Sequence, residues 1–324
     1  MRFGFDDEQM AMRDAVAAFC ADRLDLAGVS SREGKPAEPT LWRGLAELGV
    51  LGMLAAGSGI GISEASIVFE VLGAHLAVGP VLWSALAAPF VDGVAEGDRR
   101  IAGVDLVEGA GGPVVVEHAD ESDALLVVRH DRIELCARAD MEITGDGAAF
   151  DPLTPVAVLP SVPAGEVVGT GDAVEHLRRC GEVLAAALLV GVAQGALDVA
   201  REYALEREQF GVPIGSFQAV KHLLADMYVR VELARASTHA AAAIVAEPRA
   251  GDADRAASAA KLLAGDAGTA NGRAAVQILG GMGFTWDMLP HYFLKRAWVL
   301  ENTFGTSPSH AAHLAASIGD EVDR

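Results

Sequence analysis

The residues best suited to chemistry lie in a short stretch at 207–222. Arg207, Gln209 and Phe210 place a guanidinium, an amide and an aromatic ring close together along the chain. A guanidinium pairs well with phosphate oxygens, and an aromatic ring can stack on a flat ligand. Taken alone, these residues are more simply interpreted as a surface arginine beside a packed loop.

The same stretch joins two long segments of helical periodicity. Gly211, Pro213 and Gly215 interrupt that periodicity, which predicts a helix–loop–helix elbow. Ser216 is a residue type that caps helices, so it is predicted to begin the next one. Apolar residues then recur every three or four positions, as on one face of a long helix: Phe217, Val220, Leu224, Met227, Val231 and Ala234.

A second glycine-rich stretch, QILGGMGF at 277–284, also ends a helical segment. Its ordinary interpretation is a helix C-cap followed by a tight turn. Nearer the C-terminus, His310 and His313 are three residues apart, but no further metal ligands accompany them. We therefore predict core or solvated histidines and no metal site.

Composition excludes several classes of protein. The chain has 324 residues, is 51% hydrophobic and carries a net charge of -20. It is long enough for two or three packed units, and it lacks the basic excess that nucleic-acid binding needs. Three widely spaced cysteines fit a reducing cytosol and form no redox motif. We expect no nucleic-acid partner and a cytoplasmic location.

Targeting and membrane signals are also weak in this sequence. The N-terminal residues MRFGFDDEQ are polar and acidic, unlike a signal peptide. A membrane helix needs about 18–20 apolar residues, and no uninterrupted apolar run is that long. The longest, at 183–193, is predicted to be a buried helix, so no membrane association is expected.

Periodicity divides the chain into three parts. Residues 1–97 read as an N-terminal helical domain, 98–172 as a small β domain of five to seven strands, and 173–324 as a four-helix bundle. The predicted fold class is mainly α with a small central β domain. Predicted helices lie at 6–24, 41–54, 63–76, 80–88, 182–207, from 217 through 234, 254–280 and 292–316; predicted strands lie at 112–118, 123–130, 132–138, 154–160 and 165–169.

Two stretches of sequence carry a family resemblance. REYALEREQFGVPIGSFQAVKHLLADM at 201–227 and AVQILGGMGFTWD at 275–287 resemble the acyl-CoA dehydrogenase family. The resemblance is strong over 180–316, weaker over 1–80 and poor between them. It implies a helical, β, helical architecture, FAD as cofactor, and desaturation of an acyl-CoA thioester.

The resemblance also assigns cofactor contacts residue by residue. Arg207 and Phe210 match residues that contact the FAD pyrophosphate and adenine across a subunit interface. Gln218 matches a cofactor contact on the next helix. Gln277 and Gly281 match contacts to the adenosine end of FAD held mainly by a neighbouring subunit. All five belong to the half of the site that one subunit lends to its partner.

The other half of that site departs from the family pattern. The family's TEP-x-x-GSD-like loop and W-I-T/S-like strand, which seat the flavin ring, are absent between 98 and 172, where no tryptophan occurs. Phe304 stands where many members have a catalytic glutamate, and Glu301 is three residues earlier. Some members place the base on the first bundle helix, within one residue of Glu182. One residue is about 100° of helix rotation, and a solvated first-turn glutamate is the simpler interpretation of Glu182.

Short length, a reduced β domain and Phe304 together resemble the smaller subunit of heterotetrameric actinobacterial acyl-CoA dehydrogenases. This implies a longer partner subunit in an α2β2 assembly, a steroid side-chain CoA as substrate and an electron-transfer flavoprotein as acceptor. Two alternatives stay open. One is a self-sufficient homo-oligomeric dehydrogenase with Glu182 as base. The other is a flavin-free structural or acyl-CoA-binding protein, which stoichiometric FAD in a purified assembly would contradict.

Overall fold

A computed structural model describes residues 5–107, 112–144, 146–147 and 149–322. The helices in these ranges are α1 (Asp7–Arg23), α2 (Pro39–Glu47), α3 (Ile62–Ala74), α4 (Val81–Ala87), α5 (Asp172–Glu206), α6 (Gln218–Ala246), α7 (Ala253–Leu279), α8 (Pro290–Asn302) and α9 (Ser307–Val322). The strands are β1 (Ile101–Asp105), β2 (Val114–Glu117), β3 (Ala124–Val128), β4 (Arg132–Ala137), β5 (Asp146–Gly147), β6 (Val156–Leu159), β7 (Glu166–Thr170), β8 (Glu208–Gln209) and β9 (Val212–Pro213). The predicted fold class, mainly α with a small central β region, is confirmed.

The chain packs as two units, each built from separate segments. The first comprises Met1–Leu26, Ser66–Ala77 and Glu182–Arg324; the second comprises Ala27–Ala65 and Val78–Gly181. The three-part division at 97 and 172 stays a prediction about domains.

The second unit holds two sheets. One has the strand order β1-β3-β4-β7, and the other has the order β2-β6-β5. β1 and β3 run parallel, and the remaining pairs are antiparallel. β1 lies outside the predicted strands because Gly103 interrupts its apolar run. That glycine is needed for packing, since a Cβ there would lie 2.0 Å from the Trp83 ring.

The first unit is helical and is held by close backbone packing and buried polar contacts. A Cβ on Gly191 of α5 would lie 1.9 Å from the Glu70 carbonyl oxygen of α3, so only glycine allows this approach. Arg235 of α6 donates to the Glu70 carboxylate and to the Gln194 side-chain oxygen, both at 2.8 Å. Buried Asn271 of α7 donates to carbonyl oxygens of α5 and α6.

Three predicted helices have the wrong bounds. The helix predicted at 41–54 ends at Glu47, because Gly49, with φ 77°, turns the chain into a separate 3-10 helix at Val50–Gly52. α5 begins at Asp172, ten residues before the predicted start, because Val174, Leu177 and Cys180 continue its buried stripe and Gly181 does not break it. The helix predicted at 292–316 is two helices, because Phe304 and Gly305 have φ values of 57° and 96°. These left-handed residues turn the chain between α8 and α9.

Among the described residues, one helix is long and apolar enough to cross a membrane by length and composition alone. This helix is α5, and 78% of its most apolar window is buried inside the protein. The run at 183–193 lies within it, so the prediction of a buried helix is confirmed.

Candidate functional site

The predicted elbow between α5 and α6 contains a small β-hairpin. β8 and β9 pair antiparallel, with Gln209 opposite Val212. The two residues between them, Phe210 and Gly211, have φ values of 55° and 78°. Positive φ at both central residues gives the turn whose twist matches a two-residue hairpin. The Ile214 N–H donates to the Arg207 carbonyl oxygen at 2.7 Å and closes the base of the hairpin.

Phe210 is the most exposed of the large hydrophobic residues in the described part of the chain. Its side chain is 94% exposed at the tip of the hairpin, and its ring makes an edge contact with the Phe217 ring at 6.2 Å. A bulky residue in the left-handed region costs about 1–2 kcal/mol. The chain therefore presents an aromatic face to its surroundings at a cost in backbone energy, which points to a ligand or partner.

Arg207 and Gln218 flank this hairpin and are both exposed. Within the described residues, no ion pair joins Arg207 to a carboxylate of the chain. Its guanidinium is thus available to a phosphate. The prediction that Ser216 caps α6 is wrong: its hydroxyl donates to the Pro213 carbonyl oxygen at 2.7 Å, and Phe217 is the N-cap residue. The hydroxyl stabilises the turn 213–216 instead of the first turn of the helix.

Gln277 and Gly281 lie at the C-terminal end of α7. Gly280, with φ 61°, caps that helix through its N–H to the Val276 and Gln277 carbonyl oxygens, so the predicted C-cap is confirmed. The Gln277 side chain is exposed. Gly281 is also exposed, and a Cβ added there would have no atom within 4 Å. Open space at Gly281 leaves room for a ligand to approach the backbone.

The five predicted cofactor contacts therefore share one property. All belong to the first unit and all are exposed, so the chain alone does not enclose them. The assignment of these residues to FAD stays a prediction.

The position of the family's base is closed by hydrophobic packing and backbone hydrogen bonds. Phe304 is 2% exposed and stands in the turn between α8 and α9. Lys261 of α7, 1% exposed, donates from Nζ to the carbonyl oxygens of Glu301 and Gly305 at 2.9 and 3.0 Å. His310 Nε2 donates to the Phe304 carbonyl oxygen at 2.9 Å.

Glu301 is engaged within this turn and is not a substitute base by geometry. Its Oε1 accepts from the Ser307 N–H at 2.7 Å, so it satisfies a free donor at the start of α9. His310 was predicted to be a core or solvated histidine, and the structure shows a core histidine. Its Nδ1 lies 3.2 Å from the Ser258 hydroxyl. His313 is exposed on α9.

Glu182 is not a solvated first-turn glutamate. Because α5 begins at Asp172, Glu182 lies within the helix and is only 8% exposed. Its charge acts on buried Lys261. Burial lowers the pKa of Lys261 to about 8, although the charges of Glu301 and Glu182 oppose that shift. The catalytic role of Glu182 stays a prediction, but its surroundings are those of a buried, charge-compensated carboxylate.

Lys261 is the residue that sequence reasoning missed. It lies on the apolar stripe of α7, with Ala257, Ala260 and Ala264 buried around it. A single lysine at a core position of an alanine-rich helix is the signal that could have revealed it, because lysine is almost never buried without partners.

Comparison with known proteins agrees with this architecture. The N-terminal domain model of acyl-CoA dehydrogenases matches residues 6–93, and the C-terminal domain model matches residues 180–319. Acyl-CoA dehydrogenase IpdE2 of Mycolicibacterium smegmatis is 30% identical over 326 residues, covering 96% of this chain and 99% of that protein.

The chain is also similar to part of a longer protein and to one chain of a solved complex. Acyl-CoA dehydrogenase FadE34 of Mycobacterium tuberculosis is 32% identical over 93% of this chain, which spans 46% of FadE34. A chain of the ChsE4-ChsE5 complex from Mycobacterium tuberculosis superposes with a TM-score of 0.86 at 25% identity, covering 98% of this chain and 99% of that one. The chain belongs to the acyl-CoA dehydrogenase family, whose members are oxidoreductases.

Proposed function

We propose that this chain is a subunit of a FAD-dependent acyl-CoA dehydrogenase that introduces an α,β double bond into an acyl-CoA thioester. It lends half of a FAD site to a longer catalytic subunit in an α2β2 assembly. The observation that carries the proposal is the exposed elbow, where Phe210 is held on a left-handed backbone and Arg207 lacks an ion-pair partner in the described residues. The ChsE4-ChsE5 complex, a structural relative, supports a heteromeric assembly.

Each predicted contact has a role set by its chemistry. The Arg207 guanidinium would pair with the FAD pyrophosphate, and the Phe210 ring would stack on the adenine. Gln218 and Gln277 would donate or accept hydrogen bonds, and Gly281 would allow close approach of the adenosine. FAD, when bound, supplies the acceptor for the hydride that leaves the β carbon.

The proton of the α carbon needs a carboxylate base, and Phe304 removes the family's usual one from this chain. In the proposed assembly the longer subunit supplies that base and the flavin seat. We propose a steroid side-chain CoA as substrate, by resemblance to the small subunits of actinobacterial enzymes, and an electron-transfer flavoprotein as electron acceptor.

The first test measures the flavin absorbance and the solution mass of the chain alone. The same measurements are then made after co-expression with the longest homologue of this chain that a neighbouring gene encodes. We expect a colourless protein alone and a yellow complex containing two copies of each chain. A yellow protein in the absence of the longer subunit would support the self-sufficient alternative.

The second test compares Arg207→Ala with Arg201→Ala in the complex. Arg201 is also exposed near the end of α5, so it controls for the loss of surface charge. Loss of a charge-assisted bond to the pyrophosphate should weaken FAD binding about tenfold or more in the first variant only. Equal FAD affinity in the two variants would contradict the proposal.

Glu182→Gln separates the proposed function from the self-sufficient enzyme. In the proposed function the base lies in the longer subunit, so turnover by the complex should persist in this variant. Abolished turnover with FAD retained would instead assign the base to Glu182, and the chain would then be catalytic.

A further inference from the structure

The proposed cofactor contacts supply little positive charge for the group that they would bind. A pyrophosphate of the FAD type carries one negative charge on each phosphate, and bonds from cations are the strong ones for such a group. Among the five predicted contacts, Arg207 is the one cation. Glu206 and Glu208, both exposed, flank it, and the whole chain has a net charge of -20. One guanidinium in these acidic surroundings leaves part of the pyrophosphate charge uncompensated.

The elbow folds back on itself, so the start of α6 lies beside the end of α5. The Ile214 N–H donates to the Arg207 carbonyl oxygen at 2.7 Å. Gly215 approaches α5 so closely that an added Cβ would lie 2.8 Å from the Ala204 carbonyl oxygen. These two contacts hold the backbone of Arg207 next to the first turns of α6, which begins at Gln218. A cation on those turns can therefore share one pyrophosphate with Arg207.

Lys221 is the cation that α6 presents at this place. It follows Gln218 by three residues, so the two side chains lie on one face of the helix, about 4.5 Å apart along its axis. Its side chain is exposed. A histidine is largely neutral at pH 7, so the adjacent His222 supplies little charge.

The charge of Lys221 is not used within the chain. Ion pairs on a helix form between residues three or four positions apart, and positions 217, 218, 224 and 225 hold no acidic residue. The first turn of α6 also contains none. Over the ranges that the structure describes, no ion pair joins Lys221 to a carboxylate. Its ammonium is thus available to an anion that approaches the elbow.

We infer that Lys221 is a second phosphate-binding residue of the elbow, with its ammonium on the FAD pyrophosphate beside the Arg207 guanidinium. The inference rests on the proposed function and adds to it a residue that its charge balance requires. Coenzyme A also contains a pyrophosphate attached to adenosine, so the shared chemistry is an adenosine-linked pyrophosphate. The place of Lys221, one turn from Gln218, assigns it to FAD.

The test is the dissociation constant of FAD, measured by titrating FAD into the apo complex of this chain with the longer subunit. Lys221→Gln removes the charge but keeps a long polar side chain, and it should raise that constant about fivefold or more. Lys221→Arg keeps the charge and should stay within about twofold of wild type. Lys35→Gln, the same change at an exposed lysine of the second unit, is the control and should have no effect.

Salt dependence separates a charge contact from a structural role. Added salt screens the attraction between the elbow and the pyrophosphate, so wild-type affinity for FAD should fall between about 50 mM and about 500 mM NaCl. Lys221→Gln should show a smaller fall, and its affinity should approach that of wild type at high salt. The KM of the FAD-loaded complex for acyl-CoA should not change. A raised KM with wild-type affinity for FAD would place Lys221 on coenzyme A and overturn the inference.

The remaining outcomes distinguish this inference from the proposed function. Weak FAD binding in Arg207→Ala, together with wild-type binding in Lys221→Gln, would overturn the inference alone. Wild-type binding in both variants would overturn the proposed function as well. Equal weakening in Lys221→Gln and Lys221→Arg, with unchanged salt dependence, would mean that the shape of the side chain and not its charge is needed, which also overturns the inference.

Discussion

The elbow at 207–217 and the turn at 301–307 both interrupt helices of the same unit. They differ in the solvent exposure of their polar and aromatic side chains. At the elbow, Arg207 and Phe210 are exposed, and Phe210 is 94% exposed. At the turn, Phe304 is buried. Lys261 donates to the Glu301 carbonyl oxygen, and His310 donates to the Phe304 carbonyl oxygen. The elbow leaves these side chains exposed to solvent, whereas the turn uses buried side chains to stabilise the chain.

The largest effect on stability is expected at Lys261. Lys261→Met keeps the apolar stem but removes the donor to two carbonyl oxygens and the positive charge near buried Glu182. We expect the free energy of unfolding to fall by about 3 kcal/mol, because a buried charge and two acceptors lose their partner. Urea unfolding at pH 7 measures the change.

The matched control for that substitution is Lys35→Met. Lys35 is exposed, so the same chemical change should alter stability by less than about 0.5 kcal/mol. Equal effects in the two variants would show that the two hydrogen bonds and the charge of Lys261 do not contribute to stability.

The next prediction concerns pH. The pKa of Lys261 is about 8 in the folded protein and 10.5 as the ordinary value. Between these values the unfolded chain binds the proton and the folded chain does not, so this group increases stability as pH rises from about 8 to 10.5. The slope is at most about 1.4 kcal/mol per pH unit.

Unfolding curves of wild type and Lys261→Met at pH 7.5, 8.5 and 9.5 isolate this group, because every other ionisable group is shared. The stability difference between the two proteins should widen with pH. A difference that stays constant would mean that Lys261 titrates normally and is not constrained by burial.

A smaller effect is expected at Glu301. Glu301→Ala removes the acceptor for the Ser307 N–H at the start of α9, and loss of such a cap costs about 1 kcal/mol. Glu301→Gln retains a side-chain oxygen at the same place and should recover most of the loss. If Gln is no better than Ala, the carboxylate charge and not the hydrogen bond stabilises the turn.

The two regions also differ in how far the sequence predicts them. Gly211, Pro213 and Gly215 predict the elbow, because each restricts or frees the backbone locally. The fold class likewise follows from periodicity, which changes from helical to strand-like and back. These signals are local, so a single sequence contains them.

The turn at 301–307 depends on contacts distant in sequence. Phe304 has positive φ although phenylalanine does not favour it, and Lys261, more than forty positions away in α7, binds the carbonyl oxygens on either side. Glu182 is misjudged for the same reason. Its burial depends on where α5 begins and on α7 packing beside it, and neither is apparent from Glu182 and its neighbours in the chain.

The smallest change in stability is expected at the elbow itself. Phe210→Gly relieves a left-handed backbone but adds glycine's entropy in the unfolded chain, so stability should rise by only about 0.5 kcal/mol. Phe210→Ala is the matched variant, since it removes the ring but keeps the strained Cβ. Both should lose the stack on adenine and bind FAD about tenfold more weakly in the complex. Only the glycine variant should gain stability, measured by urea unfolding. Wild-type FAD affinity in both variants would contradict the proposed stack of the Phe210 ring on the adenine.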